Sequence, residues 1–212
     1  MLHYLHGSDL NRFPQLTNSM FRDRRRQFID RMGWDLNATE EGYEVDQYDR
    51  PETLYIVCAT DSGDHAGSMR FLPTSGNTMV EDHFGAVIPG IAIKSDRIWE
   101  CTRFCTARSA RSSVAPSLLV GAAKLMKEQQ LQAFLGVFDS VMERAYLRLG
   151  SPPFILGSQK SKYSRLSVGL WAFDEKLYQR LIACSHYTAD ELELMYANSV
   201  LFASLERYNQ QA

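Results

Sequence analysis

Residues 97–150 read RIWECTRFCTARSARSSVAPSLLVGAAKLMKEQQLQAFLGVFDSVMERAYLRLG. RIWECTRFCTA (97–107) predicts a strand. VAPSLLVGAAKLMKEQQ (114–130) predicts a helix with Leu118, Leu119, Ala122 and Leu125 on one face. QAFLGVF (132–138) is a second strand, and DSVMERAYLRLG (139–150) a second helix stopped by Gly150. Upstream, LHYLH (2–6) reads as a short strand. Residues 17–32 read as a helix capped by Thr17 or Asn18, with Met20, Phe21, Arg24, Phe28, Ile29 and Met32 at helical spacing and Gly33 as the stop. TLYIVCA (53–59) and HAGSMRFL (65–72) form a hairpin around DSGD, and Met79 to Val87 is a short helix or irregular segment. Downstream, PFILGS and LSVGLWAF are strands, DEKLYQRL is a helix, and residues 188–207 form a terminal helix. Antiparallel strands followed by strand–helix–strand–helix predict a mixed α/β sheet with helices on its faces. A ligand cleft is expected where neighbouring strands part.

The sequence has 212 residues, 45% apolar and 23% charged, which fits one globular domain spanning 1–212 and excludes a disordered chain, a collagen-like fibre or a coiled coil. Net charge is −2, so no basic domain supports nucleic-acid binding. Cys58, Cys101, Cys105 and Cys184 form no CxxC pair and no zinc spacing, so no metal is expected. No signal peptide and no apolar run of membrane-spanning length are visible, and the expectation is a cytoplasmic, reduced protein.

Several polar residues call for partners. RDRRRQFIDR (22–31) carries five Arg against two Asp, either a solvated helix face or a site for an anionic ligand or acidic partner. The polar segment 35–52 is a long loop, and such loops in compact domains are commonly functional. It ends in Asp46-Gln47-Tyr48-Asp49, two carboxylates that are either turn formers or holders of a cationic group. Arg70 lies inside an apolar strand and needs a carboxylate, for which Asp46 and Asp49 are the candidates. In the strand 97–107, alternation puts Glu100 with Thr102 and Phe104, and Arg103 on the other face. For Glu100 and Arg103 to serve one site, a bulge must re-aim one of them.

These residues, taken in order, resemble the acyl-homoserine lactone synthases, the LuxI-type autoinducer synthases. The resemblance covers about residues 20–157 and rests on Arg24 and Phe28, Trp34, Asp46 and Asp49, Arg70 in RFLPT, Met79 and Phe84, Glu100 and Arg103 in ECTRF, and the MERAYLRLG stretch. It implies a GNAT-like fold, a mixed and largely antiparallel sheet with helices on both faces and a V-shaped cleft between central strands. It also implies the reaction. An acyl thioester, with acyl carrier protein (ACP) favoured over CoA, acylates the amine of S-adenosylmethionine (SAM). Lactonisation then releases methylthioadenosine. SAM is a substrate, and no cofactor is implied.

On this resemblance Glu100 and Arg103 are the catalytic candidates. Glu100 takes a proton from the SAM amine, with its proton affinity raised by burial. Arg103 or Arg24 holds the SAM carboxylate and Asp46 or Asp49 its amine or sulfonium. Arg70 completes the set, and Phe28, Trp34 and Phe84 pack on adenosine or face the cation. Phe104, Leu135, Val137, Phe138, Met142 and Tyr146 are the acyl-pocket candidates. Arg22, Arg25, Arg26, Lys160, Lys162 and Arg165 are candidates for docking an acidic carrier.

Two features set this sequence apart. The place where CoA-using acetyltransferases carry a glycine-rich pyrophosphate loop reads RSARSSVAPS (108–117), without glycine. Phe138 occupies the position where synthases of 3-oxo products carry Thr, so a product without a 3-oxo group is expected. The alternatives are a GNAT-like N-acyltransferase that uses acyl-CoA without SAM, and a non-catalytic SAM- or acyl-binding protein. The intact Glu100 and Arg103 count against the latter.

Overall fold

The computed structural model describes residues 1–161 and 164–199. Seven strands form one sheet: β1 (Leu2–His6), β2 (Leu54–Ala59), β3 (His65–Pro73), β4 (Ile98–Thr106), β5 (Ala133–Asp139), β6 (Phe154–Lys160) and β7 (Arg165–Ala172). Their order across the sheet is β1-β2-β3-β4-β5-β7-β6. The helices among the described residues are α1 (Pro14–Arg25), α2 (Met79–Phe84), α3 (Val114–Glu128), α4 (Ser140–Arg148), α5 (Glu175–Ser185) and α6 (Ala189–Ala197). The β1–β2, β5–β7 and β6–β7 pairs are antiparallel, and β4–β5 is parallel. No described helix is long and apolar enough to cross a membrane.

By its contacts the chain forms two compact units, one of Met1–Arg70, Arg103–Ala122 and the chain from Ile182, the other of Phe71–Thr102 and Ala123–Leu181. In the first, Tyr55 and Val57 of β2 share an apolar cluster with Leu16, Met20 and Phe21 of α1. Burying each such side chain contributes about 1.5–3 kcal/mol. On the opposite face of β2, α3 packs so closely that a Cβ at Gly121 would lie 2.7 Å from the Leu2 side chain. A larger residue there would force the Leu2 side chain to move. The helix expected at 17–32 begins earlier and ends differently. Pro14, with its fixed φ and no N–H to satisfy, opens α1 without a side-chain cap. Arg26–Arg31 then continues as a π-helical turn, stopped by Gly33 at φ +64° as expected.

In the second unit, β5 and β7 are registered from Ala133↔Ala172 to Asp139↔Leu166. Alternation divides β5 between two faces. Leu135 joins Val80, Val87, Ile88 and Val168, with Val137 and Phe84 packed against that cluster. Phe138 points to the other face and meets Tyr146 of α4. The registered β4–β5 ladder ends at Glu100↔Leu135, although β4 runs on to Thr106 and β5 to Asp139.

The terminal helix expected over 188–207 is shorter in its described part. Thr188 and Glu191 form a capping box, the helix ends at Ala197, and Tyr196 meets Tyr4 edge-on at 5.2 Å. Residues 200–207 of that expectation lie outside the described residues.

Candidate active site

In the first unit, three arginines and three carboxylates close into an alternating ring. Arg24 bridges Glu44 (2.7 Å) and Asp49 (2.8 Å), Arg103 bridges Glu44 (2.8 Å) and Asp46 (2.7 Å), and Arg70 bridges Asp46 (2.5 Å) and Asp49 (3.0 Å). Each guanidinium therefore touches two carboxylates and each carboxylate two guanidiniums. The arginines come from α1, β3 and β4, and the carboxylates all come from the 35–52 loop, so the ring ties that loop to the sheet. Its charges sum to zero, which is the condition for burying so many. Asp46 is the most open member, its side chain 16% exposed against 4% or less for the other five.

The electrostatics follow from this geometry. Burial alone would push Asp49 up. The charges and hydrogen bonds of Arg24, the charge of Arg70 and the Tyr55 hydroxyl at 2.6 Å outweigh it and hold the carboxyl well below the usual range. Burial would lower Arg24 and Arg70, yet their carboxylates keep both above the ordinary guanidinium value. Burial and then the Asp49 charge push the Tyr55 phenol up.

Arg103 enters the ring through an unusual backbone. Its φ is +53°, inside a strand. Such a conformation is uncommon for arginine and costs of order 1–3 kcal/mol. The buried positions of β4 shift phase there, from Glu100 and Thr102 to Arg103 and Cys105. The shift breaks the strict alternation that the sequence predicts along this strand. It also corrects the placement of Phe104, which drops out of the buried set and is half-buried. Beside the ring, Phe28 and Trp34 stack at 4.9 Å and Arg103 lies over Phe28 at 5.4 Å. Trp34 is 37% exposed, so this aromatic pair has an open side.

In the second unit, Glu100 is fully buried and accepts hydrogen bonds from the amides of Met79 (3.0 Å) and Val80 (2.6 Å) at the start of α2. Both carboxylate oxygens thus have amide donors within the buried surroundings that the sequence predicts. Phe84, a candidate SAM contact, packs against the Leu135 cluster. The acyl-pocket candidates fall into two groups on opposite faces of β5. Leu135 and Val137 belong to that cluster, whereas Phe138 and Tyr146 meet edge-on at 5.9 Å, with half-buried Met142 one turn before Tyr146 on α4.

The docking candidates among the described residues are all at the surface. Arg22, Arg25 and Arg26 are exposed on α1 and its extension, Arg22 over Tyr43 and Arg26 paired with Asp23 at 3.1 Å. Lys160 and Arg165 are exposed at the β6–β7 turn, Arg165 paired with Glu143 at 2.6 Å. Lys162 lies outside the described residues.

Sequence reasoning missed Glu44 and Trp171. Glu44 is one of six acidic residues between 40 and 52, and its signal was arithmetic: three inward arginines leave one charge unmatched by Asp46 and Asp49. Trp171 lies edge-on to both Phe138 (5.2 Å) and Tyr146 (5.0 Å).

Comparison with known proteins gives consistent results. A family model described as autoinducer synthase matches residues 10–179. An acyl-homoserine-lactone synthase of Rhizobium etli is 36% identical over 161 residues, covering 73% of this chain and 76% of the relative. A CoA-dependent acyl-homoserine lactone synthase, BjaI, solved with SAM and isopentyl-CoA, superposes with a TM-score of 0.79 at 18% identity, over 92% of this chain and 98% of that one. An acyl-CoA N-acyltransferase from Pseudomonas aeruginosa superposes at 0.55 and 15% identity, over 81% and 99%. At those identities the structural likeness concerns the fold, a GNAT-like one.

Proposed function

The chain belongs to the autoinducer synthase family and is an acyl-homoserine-lactone synthase, and on that premise we propose how its residues divide the reaction. SAM meets the ring at its most open edge, Asp46 and Arg103. Asp46 takes the cationic end of SAM, Arg103 pairs with its carboxylate, and the Phe28–Trp34 stack offers the aromatic surface for adenosine. Arg24, Arg70, Asp49 and Glu44 hold those two in place. The observation that carries this reading is the closed ring itself, which fixes Arg103 in its left-handed conformation.

The first chemical step joins the SAM nitrogen to the thioester carbonyl carbon and expels the thiolate. The amine must shed a proton, and Glu100 is the base, directly or through water. Its two oxygens accept from the Met79 and Val80 amides at the start of α2, which fix the orientation of the carboxyl group for that transfer. In the second step the SAM carboxylate oxygen attacks its own γ-carbon. The C–O bond forms as the C–S bond breaks, and the electron pair leaves on sulfur as methylthioadenosine. This step mainly requires a folded-back SAM, which a paired carboxylate supplies.

The acyl donor in this proposal is acyl-ACP. The segment before α3 has no glycine loop, and Pro116 in the first turn of α3 removes an amide that a pyrophosphate would use. The basic side chains on α1 and at the β6–β7 turn suit an acidic carrier. The acyl group lies along β5 and α4 near Phe138, Met142 and Tyr146, and with no hydroxyl at 138 the product lacks a 3-oxo group. Matched acyl-ACP and acyl-CoA donors, with and without a 3-oxo group, test this by mass spectrometry of acyl-homoserine lactone and methylthioadenosine. The expected best donor is the ACP thioester without the oxo group; a preference for CoA or for 3-oxo donors contradicts the corresponding part.

A further inference from the structure

Gly136 and Gly169 face each other directly across β5 and β7. Two opposed glycines leave a bare trough on that face of the sheet, with no side chain rising from it. Two aromatic rings lie over it along the cross-strand diagonals, beside the Cys101 carbonyl at Gly136 and the Phe154 carbonyl and Pro153 side chain at Gly169. Trp171 reaches over Gly136, where a Cβ would lie 3.1 Å from the indole ring. Phe138 reaches over Gly169, where a Cβ would lie 3.1 Å from its ring. The two rings meet edge-on at 5.2 Å, and Tyr146 of α4 closes on both, at 5.9 Å from Phe138 and 5.0 Å from Trp171. The indole is also tethered, its Nε1 donating to the Ser151 carbonyl at 3.0 Å.

We infer that Trp171 is a specificity-determining residue, the stop that sets the greatest length of acyl chain this enzyme accepts. The inference rests on the reading that the acyl group lies along β5 and α4. A chain advancing past Met142 toward Tyr146 meets a wall of rings in place of the trough beneath them. Phe138 and Tyr146 are buried, but Trp171 is only half-buried and comes from a different strand, so its removal uncovers the trough without breaking β5 or α4.

The test is a competition. Purified full-length protein is given SAM and an equimolar mixture of straight-chain acyl thioesters from butanoyl to dodecanoyl, and the acyl-homoserine lactones are quantified by mass spectrometry. The ratio of products within one tube does not depend on the fraction of enzyme folded, so a destabilised variant remains informative. Trp171→Ala is expected to raise the ratio of a donor two methylenes longer than the wild-type optimum over that optimum by about tenfold or more. Trp171→Phe is expected to give a smaller shift in the same direction. An unchanged product profile in both Trp171 variants, with a shifted profile in Phe138→Ala, overturns the role of Trp171 and leaves the acyl location standing. Unchanged profiles in all three overturn both.

Discussion

The arginine–carboxylate ring and the aromatic wall are both densely packed, but they are held by opposite physics. In the ring every member is charged, and every contact depends on a partner of opposite sign. Removing one group leaves its buried neighbours uncompensated, a large and directional loss. The wall of Phe138, Tyr146 and Trp171 is held by edge-on ring contacts that fall off gradually with shape. In the proposed division of roles, buried charge suits the charged part of SAM, and an apolar wall suits the acyl chain, because its shape can change by small steps without unfolding the sheet.

The sharpest way to separate chemistry from both regions is Glu100→Gln. The amide is of similar size and cannot act as base, though it can accept from only one of the Met79 and Val80 amides; turnover should fall by roughly 10²–10⁴-fold, while SAM binding measured by calorimetry on the folded variant stays near wild type. Near-normal turnover would remove Glu100 as the base. Within the ring, Asp49→Asn should cost about 3–5 kcal/mol of stability, as expected when one partner of a buried ion pair is lost, read by chemical denaturation. A loss below about 1 kcal/mol would place Asp49 with exposed pairs and break the contrast with the wall.

The ring also predicts a pH signature. The Asp49 carboxyl titrates lower in the folded protein than in the unfolded chain. The unfolded state therefore binds the extra proton first, and stability falls as the solution is acidified below the ordinary carboxylate value of about 3.8. That stabilisation is fully present above this value. Denaturation midpoints measured from neutral pH into the acid range should fall more steeply for wild type than for Asp49→Asn. Parallel profiles would contradict the assignment.

The smallest effect is expected at the wall. Phe138→Leu should change total turnover by less than about tenfold, because a hydrophobic swap of similar volume is tolerated, yet it should alter the spectrum of donors accepted. A loss as deep as that of Glu100→Gln, with no change in spectrum, would show the wall to be part of the chemistry.

Much of this was legible in the sequence, for identifiable reasons. The strand–helix–strand–helix of 97–150 carries strong periodicity, and the structure places β4, α3, β5 and α4 there. The demand of Arg70 for a carboxylate followed from burying a charge, and Asp46 and Asp49 meet it. The left-handed Arg103 was readable only as a condition, since no residue type marks a positive φ outside glycine and asparagine. Glu44 was hidden among its acidic neighbours and emerges only when the three arginines are counted together. Trp171 was invisible as a partner of Phe138 because the β5–β7 register joins segments separated by α4 and β6. The split of the acyl candidates between two faces followed from alternation along β5 and could have been read from parity alone.

The division between ring and wall is tested most directly by Asp46→Asn. KM for SAM and the product ratio from a mixed-donor incubation would be measured on the same preparation. The account predicts that KM for SAM rises by about tenfold or more, as loss of a charge-assisted contact implies, while the ratio of acyl-homoserine lactones stays unchanged. An unchanged KM for SAM, or a donor ratio that shifts with it, would contradict the claim that the ring serves SAM and the wall serves the acyl chain.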